Sequence, residues 1–531
     1  MGKVLLITFD QWRADALGLA GHLNVATPNI DAFAAEATSF RNHFTCSTPC
    51  GPSRTTMLTG LYPLNHRAIK NGTPLDARHT NLAWQVRARG LLPYIYGYTD
   101  TAYDPRTRPA GDPALRVYES IMDGFEVGCR MFGEAVPMNE WAAHLARQGY
   151  DVPQDHAELL YGIGALSRGE PVTRRAAFYR PEDSDTAFLT DRVTDFLSVA
   201  SGYDWLLHAS YLRPHPPLIA PEPYNTAIDP GDVTLPVRAS ERGAQSSQHP
   251  FLAYWIDVLQ ADPAFFQTNF APNRFTDDDI RTLRAVYYGL IMECDHHFGR
   301  IVAALKAAGL YDDTLIILTS DHGEMLGDHW MWGKGGYFDA SNRVPLIIRD
   351  PRRLAPSGGS TVTAFTESVD IAPTIIDWLD GAVPHTWDGR SLLPWLAGET
   401  PPWRDAVFWE YDFREPLTQN AERHFGLTSA QCTLNVLRDA KGKYVHFNGP
   451  DLPPVFFDLE QDPDEHAPCA LAITDGRAFD YAARLLSRRM THAERTLTDA
   501  LLTPDGPVHP KRPPYGIAAL DAMPRAGEQL A

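Results

Sequence analysis

Cysteine and long apolar runs are both scarce in this chain of 531 residues. No stretch of about 18 uninterrupted apolar residues is present, which excludes an ordinary membrane-spanning helix. The N-terminus reaches a charged residue before a secretory signal of useful length is complete, so we expect a cytoplasmic protein. The cysteines are too sparse and too scattered for a disulfide scaffold. They are Cys46, Cys50, Cys129, Cys294, Cys432 and Cys469.

Basic residues are also fewer than acidic residues. The chain has 47 Lys and Arg residues against 66 Asp and Glu residues, which gives a formal net charge of −19. A field of this sign repels nucleic acid and anionic membrane surfaces, so we expect neither as a partner. If the substrate is itself an anion, a few local cations or a metal ion must attract it.

Short, strongly apolar segments recur along the first part of the chain, with room between them for crossover helices. This pattern predicts an α/β fold with a large, mostly parallel sheet between layers of helices. One long helix is also predicted, because Thr276 and Asp279 suit its N-terminus, apolar residues follow at helical spacing, and Gly309 ends it. The predicted strands are Lys3 to Phe9, Leu91 to Tyr96, Trp205 to Ser210, Thr314 to Thr319 and Pro345 to Ile348.

The spacing of these segments divides the chain into three parts. Residues 1–400 are expected to form a catalytic domain, with long irregular insertions at 102–182 and 214–275 that shape a binding rim. Residues 401–502 contain closely spaced strands and one amphipathic stretch, which predicts a small antiparallel sheet with a helix on it. Residues 503–531 are rich in proline and predict an extended tail that is able to wrap a neighbouring subunit.

Polar residues directly follow several of the predicted strands. In an open parallel sheet, ligands bind beyond the carboxyl ends of the strands. Asp10, Tyr98, His215 and Asp321 lie at such positions. These four residues are therefore the first candidates for a functional site.

The segment CGPSRTTMLTG, from Cys50 to Gly60, begins like a helix, with Cys50 at the N-cap and Pro52 in the first turn. A helix N-terminus attracts anions, because its free N–H groups and dipole stabilise negative charge by about 0.3–2 kcal/mol. Arg54 adds a permanent charge one turn later. Three alternatives stay open from these residues alone: a structural cysteine, a pair with Cys46, and an unmodified thiolate nucleophile.

The pattern Cys-x-Pro-Ser-Arg followed by Leu-Thr-Gly resembles the signature of sulfatases and their relatives in the alkaline phosphatase superfamily. In that family this cysteine is oxidised to formylglycine. The resemblance therefore implies an alkaline phosphatase-like fold, a formylglycine at position 50 and a maturation enzyme as a partner. A hydrated aldehyde has two hydroxyls on one carbon: one attacks phosphorus or sulfur, and loss of the other's proton then expels phosphate or sulfate.

Two further segments, Asp10-Gln11 and Asp321-His322, resemble the metal-binding corners of the same family. The resemblance implies that these four residues bind one divalent metal ion. A set of two carboxylates, an amide and an imidazole suits Mn²⁺, with Ca²⁺ or Fe²⁺ as alternatives. A two-zinc centre needs a further Asp-x-x-x-His pair, and the residue four places before His215 is a tyrosine. We therefore expect a single metal ion.

Lys334 and His215 complete the implied catalytic set with Cys50 and Arg54. Lys334 lies in the sequence WGKGG, where the backbone can approach a ligand closely, and it is expected to bind a non-bridging oxygen. His215, in the sequence RPHPP after a predicted strand, is expected to act as a general acid or base at the leaving group or in hemiacetal cleavage. A structural histidine is the alternative.

The substrate-binding residues distinguish branches of the family. Ordinary sulfatases have a Gly-Lys-Trp-His-type segment and a second acidic residue beside the first aspartate. This chain has Tyr98-Thr99 and Gln11 instead, which is similar to the branch of phosphonate monoester hydrolases and phosphodiesterases. Tyr98 and Thr99 reduce the positive charge at the pocket, which suits a singly charged ester. Asn71 is assigned to the same pocket by analogy.

We therefore expect metal-dependent hydrolysis of phosphonate monoesters and phosphodiesters, with promiscuous activity toward sulfate esters. The main alternative is a cytoplasmic sulfatase that acts on aryl or other small sulfate esters. A phosphoryl transferase normally has membrane helices and a Thr or Ser nucleophile, and a binding protein has no need for a nucleophile, metal ligands and a cation together. The resemblance further implies a small anionic ester as the ligand and a homo-oligomer, for which a tetramer is the suggested form.

Overall fold

A large and a small β-sheet, with helices around them, form most of the part of the chain that the structure describes. The computed structural model describes residues 2–117, 120–131, 139–153, 159, 174–262, 271–353, 358–469, 476–492, 502–503 and 506–507. In chain order, the strands of the two sheets are β1 (Lys3–Asp10), β2 (Thr38–Phe44), β3 (Ser47–Thr48), β4 (Leu92–Gly97), β5 (Glu126–Arg130), β6 (Trp205–Pro214), β7 (Thr314–Ser320), β8 (Leu346–Arg349), β9 (Ser360–Glu367), β10 (Ala406–Asp412), β11 (Thr433–Asp439), β12 (Gly442–Phe447) and β13 (Val455–Asp458). The α-helices are α1 (Pro28–Ala34), α2 (Cys50–Thr59), α3 (Pro63–His66), α4 (Leu82–Arg87), α5 (Glu140–Arg147), α6 (Asp185–Val199), α7 (Arg242–Ser246), α8 (Pro250–Ala253), α9 (Asp277–Ala307), α10 (Asp339–Asn342), α11 (Ile371–Trp378), α12 (Leu393–Leu396), α13 (Asn420–Phe425) and α14 (Gly476–His492).

The large sheet has the strand order β5-β4-β6-β1-β7-β8-β2-β9. Its neighbouring strands run parallel, except that β8 is antiparallel to both β7 and β2. The predicted α/β fold with a mostly parallel sheet is therefore confirmed. The strand predicted at Pro345 to Ile348 is present, but its direction is reversed relative to the other predicted strands.

Helices cover both faces of this sheet because its central strands are apolar on both sides. In β1, Leu5 and Ile7 belong to one hydrophobic core, and Val4 and Leu6 belong to another. Side chains alternate between the faces of a strand, so an all-apolar strand needs a layer on each side. The first core contains residues of α6 and α9, and the second contains residues of α2, α4 and α11.

The long helix α9 confirms the prediction made from its ends. Thr276 is its N-cap, and Thr276 and Asp279 form a reciprocal capping box. The helix continues to Ala307, and Gly309 follows in a left-handed conformation with φ of 69°. A short connection then leads into β7, and part of the candidate site lies at the carboxyl end of that strand.

Two regions differ from the expectation. The described part of 102–182 is not wholly irregular, because it contributes α5 and strand β5, which extends the edge of the large sheet beside β4. Strands β2 and β9 were not predicted. The sequence of β2, TSFRNHF, is largely polar, and β9 is the other edge strand, with exposed side chains at two positions.

The small sheet has the strand order β13-β12-β11-β10-β3. Strands β10 to β13 are antiparallel as predicted, and α14 packs against β11 and β12. The added strand β3 comes from the first part of the chain and runs parallel to β10, with Ser47 opposite Glu410. The sheet is therefore mixed rather than purely antiparallel, and it holds the segment that directly precedes Cys50.

The predicted C-terminal tail lies almost entirely outside the described residues. At its start, Leu502–Thr503 pairs with Gly506–Pro507 in an antiparallel ladder. Within the part of the chain that the structure covers, no helix combines the length and the apolar character needed to cross a membrane.

Candidate active site

The carboxyl ends of the central strands bring distant parts of the chain together. β1 ends at Asp10, whose partner in β6 is Pro214, so His215 follows on the neighbouring strand. β7 ends at Ser320 on the other side of β1, and Asp321 comes next. The backbone N–H of Gln11 donates to Asp321 Oδ1 at 3.1 Å. Because these strands are adjacent and parallel, their ends form one edge at which a ligand can bind.

Helix α2 presents Cys50 at the same edge. Pro49 is the N-cap, so Cys50 is the first helical residue rather than the cap that the sequence suggested. The N–H of Gly51 donates to Asn71 Oδ1 at 2.8 Å. A Cβ at Gly51 would lie 2.7 Å from the carbonyl oxygen of Asp100, so only glycine permits this close backbone packing. Asn71 is therefore in direct contact with the start of the helix that carries the candidate nucleophile.

Four buried side chains form a compact cluster: Asp10, Cys50, Asp321 and His322. Their ligand atoms all lie within 4.8 Å of one another. His322 Nδ1 lies 3.0 Å from the carbonyl oxygen of Gly323, which favours a hydrogen on Nδ1 and leaves the lone pair of Nε2 facing the cluster. Two carboxylates and an imidazole nitrogen arranged in this way fit the donor preferences of a divalent metal ion.

Arg54 lies fully buried inside this cluster. Its Nη2 donates to Asp10 Oδ2 at 2.8 Å, and its Nε donates to Asp321 Oδ2 at 2.9 Å. Its Nη1 donates to the carbonyl oxygen of Tyr98 at 2.8 Å and to the hydroxyl of Ser210 at 2.7 Å. These bonds all go to the protein, so Arg54 holds the two carboxylates in position instead of pointing into open space for a substrate.

Lys334 lies within hydrogen-bond distance of Gln11, Cys50 and His215. Its Nζ lies 2.7 Å from Gln11 Oε1, 3.1 Å from Cys50 Sγ and 2.7 Å from His215 Nε2. His215 Nδ1 lies 2.5 Å from the carbonyl oxygen of Pro216, so Nδ1 carries the hydrogen and Nε2 accepts from the lysine. Burial and the nearby Lys334 ammonium lower the pKa of His215 to about 3. The imidazole is therefore neutral at physiological pH.

The charges around Cys50 determine which groups are ionised. Burial alone would raise the pKa of Asp10, but His215, Lys334 and Arg54 hold it well below its usual range. Burial and the Asp10 carboxylate raise the pKa of the Cys50 thiol well above its usual range, although Lys334 opposes them. These surroundings favour a protonated thiol and disfavour the alternative of an unmodified thiolate nucleophile.

The other residues predicted to bind substrate behave differently from one another. The hydroxyl of Tyr98 donates to Asp10 Oδ2 at 2.7 Å, which brings this side chain into the cluster. The hydroxyl of Thr99 instead donates to the carbonyl oxygen of Ser120 at 3.1 Å and accepts from the N–H of Met122 at 2.8 Å. Thr99 therefore supports a neighbouring loop, and the structure does not bring it to the cluster.

Glu324 is part of the site although the sequence did not single it out. Its carboxylate accepts from the N–H groups of Leu326 at 2.8 Å and Gly333 at 2.7 Å, and it also accepts from the amide of Gln11. It thereby links Gln11 to the loop that carries Lys334. Burial raises the pKa of Glu324 to about 7. Its place directly after the Asp-His-Gly corner is the only signal that the sequence offers.

A buried ion pair supports the loop of His215. Arg213 Nη1 donates to the carbonyl oxygens of His215 at 3.1 Å and Pro217 at 2.8 Å, and its Nε donates to Asp185 Oδ1 at 3.4 Å. Asp185 is the first residue of α6, so the loop is tied to the helical layer. This pair was not predicted, because the two residues are far from each other in the sequence and match no motif.

A cavity of about 690 Å³ opens beside the cluster. One part of its wall is polar and belongs to the site: Gln11, His215 and Lys334. The other part comes mainly from the insertion at 214–275 and from the chain at and after the end of β10, and it includes the carboxylates of Asp262 and Glu415 beside a group of aromatic residues. These aromatic residues are Phe251, Tyr254, Trp255, Tyr411 and Phe413.

The chain is similar to known proteins over nearly its whole length. The family model described as Sulfatase matches residues 3–382, and one described as N-sulphoglucosamine sulphohydrolase, C-terminal, matches residues 327–491. The multifunctional alkaline phosphatase superfamily protein PehA of Trinickia caryophylli is 41% identical over 95% of this chain and 98% of its own. The crystal structure of phosphonate monoester hydrolase of Agrobacterium radiobacter superposes with a TM-score of 0.88 and 43% identity, covering 96% of this chain and 100% of that one. The arylsulfatase of Clostridium perfringens is 27% identical over 94% of this chain and 96% of its own.

Proposed function

Because this chain belongs to the sulfatase family and is a hydrolase, we propose that it cleaves phosphonate monoesters and phosphodiesters with a formylglycine formed from Cys50. The higher identity to the phosphonate monoester hydrolase, 43% against 27% for the arylsulfatase, supports this branch. Sulfate esters are proposed as slower, promiscuous substrates. A formylglycine-generating enzyme is the implied maturation partner.

The observation that carries this proposal is the convergence of position 50 with a cation and the predicted metal ligands. Cys50 Sγ lies 3.1 Å from Lys334 Nζ, 3.3 Å from His322 Nε2 and 3.9 Å from Asp10 Oδ1. A small tetrahedral anion spans distances of this size, so nucleophile, cation and metal ligands are able to act on the same group.

We propose that Asp10, Gln11, Asp321 and His322 bind one divalent cation, with Mn²⁺ preferred over Ca²⁺ and Fe²⁺. The buried carboxylates and the orientation of His322 support this assignment. When bound, such a cation would supply Lewis-acid activation of the nucleophile and neutralise charge on the transferred group.

The chain's own residues account for the remaining steps. One hydroxyl of the hydrated aldehyde at position 50 forms a bond to phosphorus as the ester oxygen leaves. Lys334 binds a non-bridging oxygen of the transferred group. His215 is neutral, so its Nε2 has a lone pair, and we assign it the role of base that accepts the proton of the second hydroxyl. The carbon–oxygen bond to the product then breaks and the aldehyde is restored.

The polar groups near position 50 support a singly charged ester. Tyr98 and Thr99 stand where ordinary sulfatases are expected to have a lysine and a histidine, and the neutral side chains of Tyr98 and Asn71 lie close to position 50. A dianionic monoester needs more positive charge than Lys334 alone supplies, and a diester or phosphonate monoester carries a single negative charge.

Substrate preference is tested by comparing kcat/KM for phenyl methylphosphonate, diphenyl phosphate and phenyl sulfate. We expect the first two to exceed the sulfate. The alternative of an arylsulfatase is favoured instead if the sulfate leads by about tenfold, or roughly 1.4 kcal/mol. A Cys50→Ala variant controls for contaminating hydrolases.

The state of position 50 is tested by the mass of its peptide. Conversion of CH₂SH to CHO removes about 18 Da, and full activity of unconverted protein would contradict the proposed nucleophile. Elemental analysis of the purified protein tests the metal assignment. The tetramer and the cytoplasmic location stay predictions, to be checked by sedimentation and by cell fractionation.

A further inference from the structure

A second lysine, Lys70, lines the cavity together with Lys334. Its neighbour Asn71 accepts from the N–H of Gly51, so Lys70 lies next to the helix that starts at the nucleophile. The side chain is partly buried, and its Nζ lies 5.5 Å from the centre of the Tyr411 ring. Nothing in the chemistry proposed above uses this ammonium group.

Within the described part of the chain, the Lys70 ammonium has no hydrogen-bond or ion-pair partner. The nearby carboxylates are already engaged: Asp412 accepts from Arg414 at 2.9 Å, and Glu415 accepts from the Tyr254 hydroxyl at 2.7 Å. Burial lowers the pKa of Lys70, and the carboxylates of Asp412 and Glu415 oppose this effect. Without a protein acceptor, this ammonium depends on water in the cavity, and an acceptor on a bound ligand is able to replace that water.

The wall around this ammonium suits a flat apolar group. The ring centroids of Trp255 and Tyr411 are 5.8 Å apart, and those of Phe251 and Trp255 are also 5.8 Å apart. Edge and face contacts with such rings stabilise a bound aromatic group more than a short alkyl group. Lys334 lines the same cavity, so an ester whose phosphorus group is bound by Lys334 has room for its organic part beside these rings.

We propose that this cavity is the subsite for the leaving group, and that Lys70 binds a carboxylate carried by an aromatic leaving group. The preferred substrates are then aryl phosphonates or phosphodiesters with a second anionic group remote from phosphorus. This inference rests on the proposed function, because the nucleophile and Lys334 define where the ester lies. Lys70 acts as a specificity-determining residue that leaves the reacting atoms untouched.

The test compares phenyl, 3-carboxyphenyl and 4-carboxyphenyl methylphosphonate with wild type and Lys70→Met. Methionine keeps the length and the apolar stem but removes the charge. We expect Lys70→Met to lower kcat/KM for the better carboxyphenyl isomer about tenfold or more, mainly through KM. The phenyl ester should stay within about twofold, which also shows that the variant folds. Lys441→Met, at an exposed position, is the matched control and should leave all three rates unchanged.

The outcomes separate this inference from the proposed function. Equal losses for the phenyl and carboxyphenyl esters, or no loss for either carboxyphenyl isomer, would overturn the role of Lys70. Failure of converted wild-type protein to hydrolyse any of the three esters would instead contradict the proposed function. Partial recovery of the carboxyphenyl rate in Lys70→Arg supports recognition by charge.

Discussion

Replacing Glu324 with glutamine tests how a buried carboxylate orders the site. One oxygen of Glu324 accepts from the N–H groups of Leu326 and Gly333, and the other accepts from the amide of Gln11. Gln11 in turn presents its Oε1 to Lys334 at 2.7 Å. In Glu324→Gln one acceptor becomes an NH₂ group. If the amide oxygen of the new glutamine keeps accepting from the backbone N–H groups, its NH₂ faces the NH₂ of Gln11. Rotating the Gln11 amide by 180° would remove this conflict, but it would then point the Gln11 NH₂ at the Lys334 ammonium.

The substitution therefore loses at least one hydrogen bond to the carboxyl group of Glu324 and leaves a buried donor unpaired. A loss of this kind costs about 1–3 kcal/mol. If this loss of free energy destabilises the transition state and not the free enzyme, kcat/KM for phenyl methylphosphonate decreases about 5- to 150-fold at saturating metal. Removal of a group that orients a metal ligand typically weakens metal binding about 10- to 100-fold, which competition with a fluorescent chelator measures.

The double substitution Gln11→Glu with Glu324→Gln provides the control. It exchanges donor and acceptor, so that the new amide at position 324 donates to the new carboxylate at position 11, which still accepts from Lys334. We expect the double variant to be more active than either single variant, because each single change leaves two like groups facing each other. A Glu324→Gln enzyme within about twofold of wild type, or a double variant no better than the weaker single one, would refute this reasoning.

Three other buried groups provide independent tests. Arg54→Lys keeps the charge but not the fork that holds two carboxylates, so we expect the melting temperature to fall by several degrees and turnover to fall about tenfold or more; wild-type values would argue against its orienting role. Arg213→Lys loosens the loop of His215 and should lower kcat with little change in KM, and an effect confined to KM would contradict this. Burial raises the pKa of Glu293 from 4.5 to about 8, so the folded protein keeps a proton that the unfolded chain releases. Stability in urea should therefore fall as the pH rises through this window, by at most about 1.4 kcal/mol per pH unit, and Glu293→Gln should flatten the slope. An unchanged slope would show that Glu293 is ionised in the folded protein.

Local sequence patterns account for the parts of the fold that were predicted. The apolar runs of β1, β6 and β7 require burial on both faces, and the Thr276 and Asp279 capping box starts α9 wherever that helix packs. β2 lacks such a run, and β3 is a two-residue strand whose partner β10 lies far along the chain. Pairing of this kind depends on contacts between distant segments, and no local pattern reports it.

The amino-acid sequence by itself determined the chemistry available at the site. The Cys50 segment, the Asp-Gln and Asp-His corners and Lys334 are each recognisable from a few neighbouring residues. Only the tertiary structure decided which side chains are in contact. Arg54 lies between two carboxylates, Glu324 accepts from Gln11, and Thr99 bonds to a neighbouring loop. The physical reason is range, because a motif specifies donors and acceptors locally, whereas a hydrogen bond forms only where the packing of distant strands and helices brings two atoms within about 3 Å.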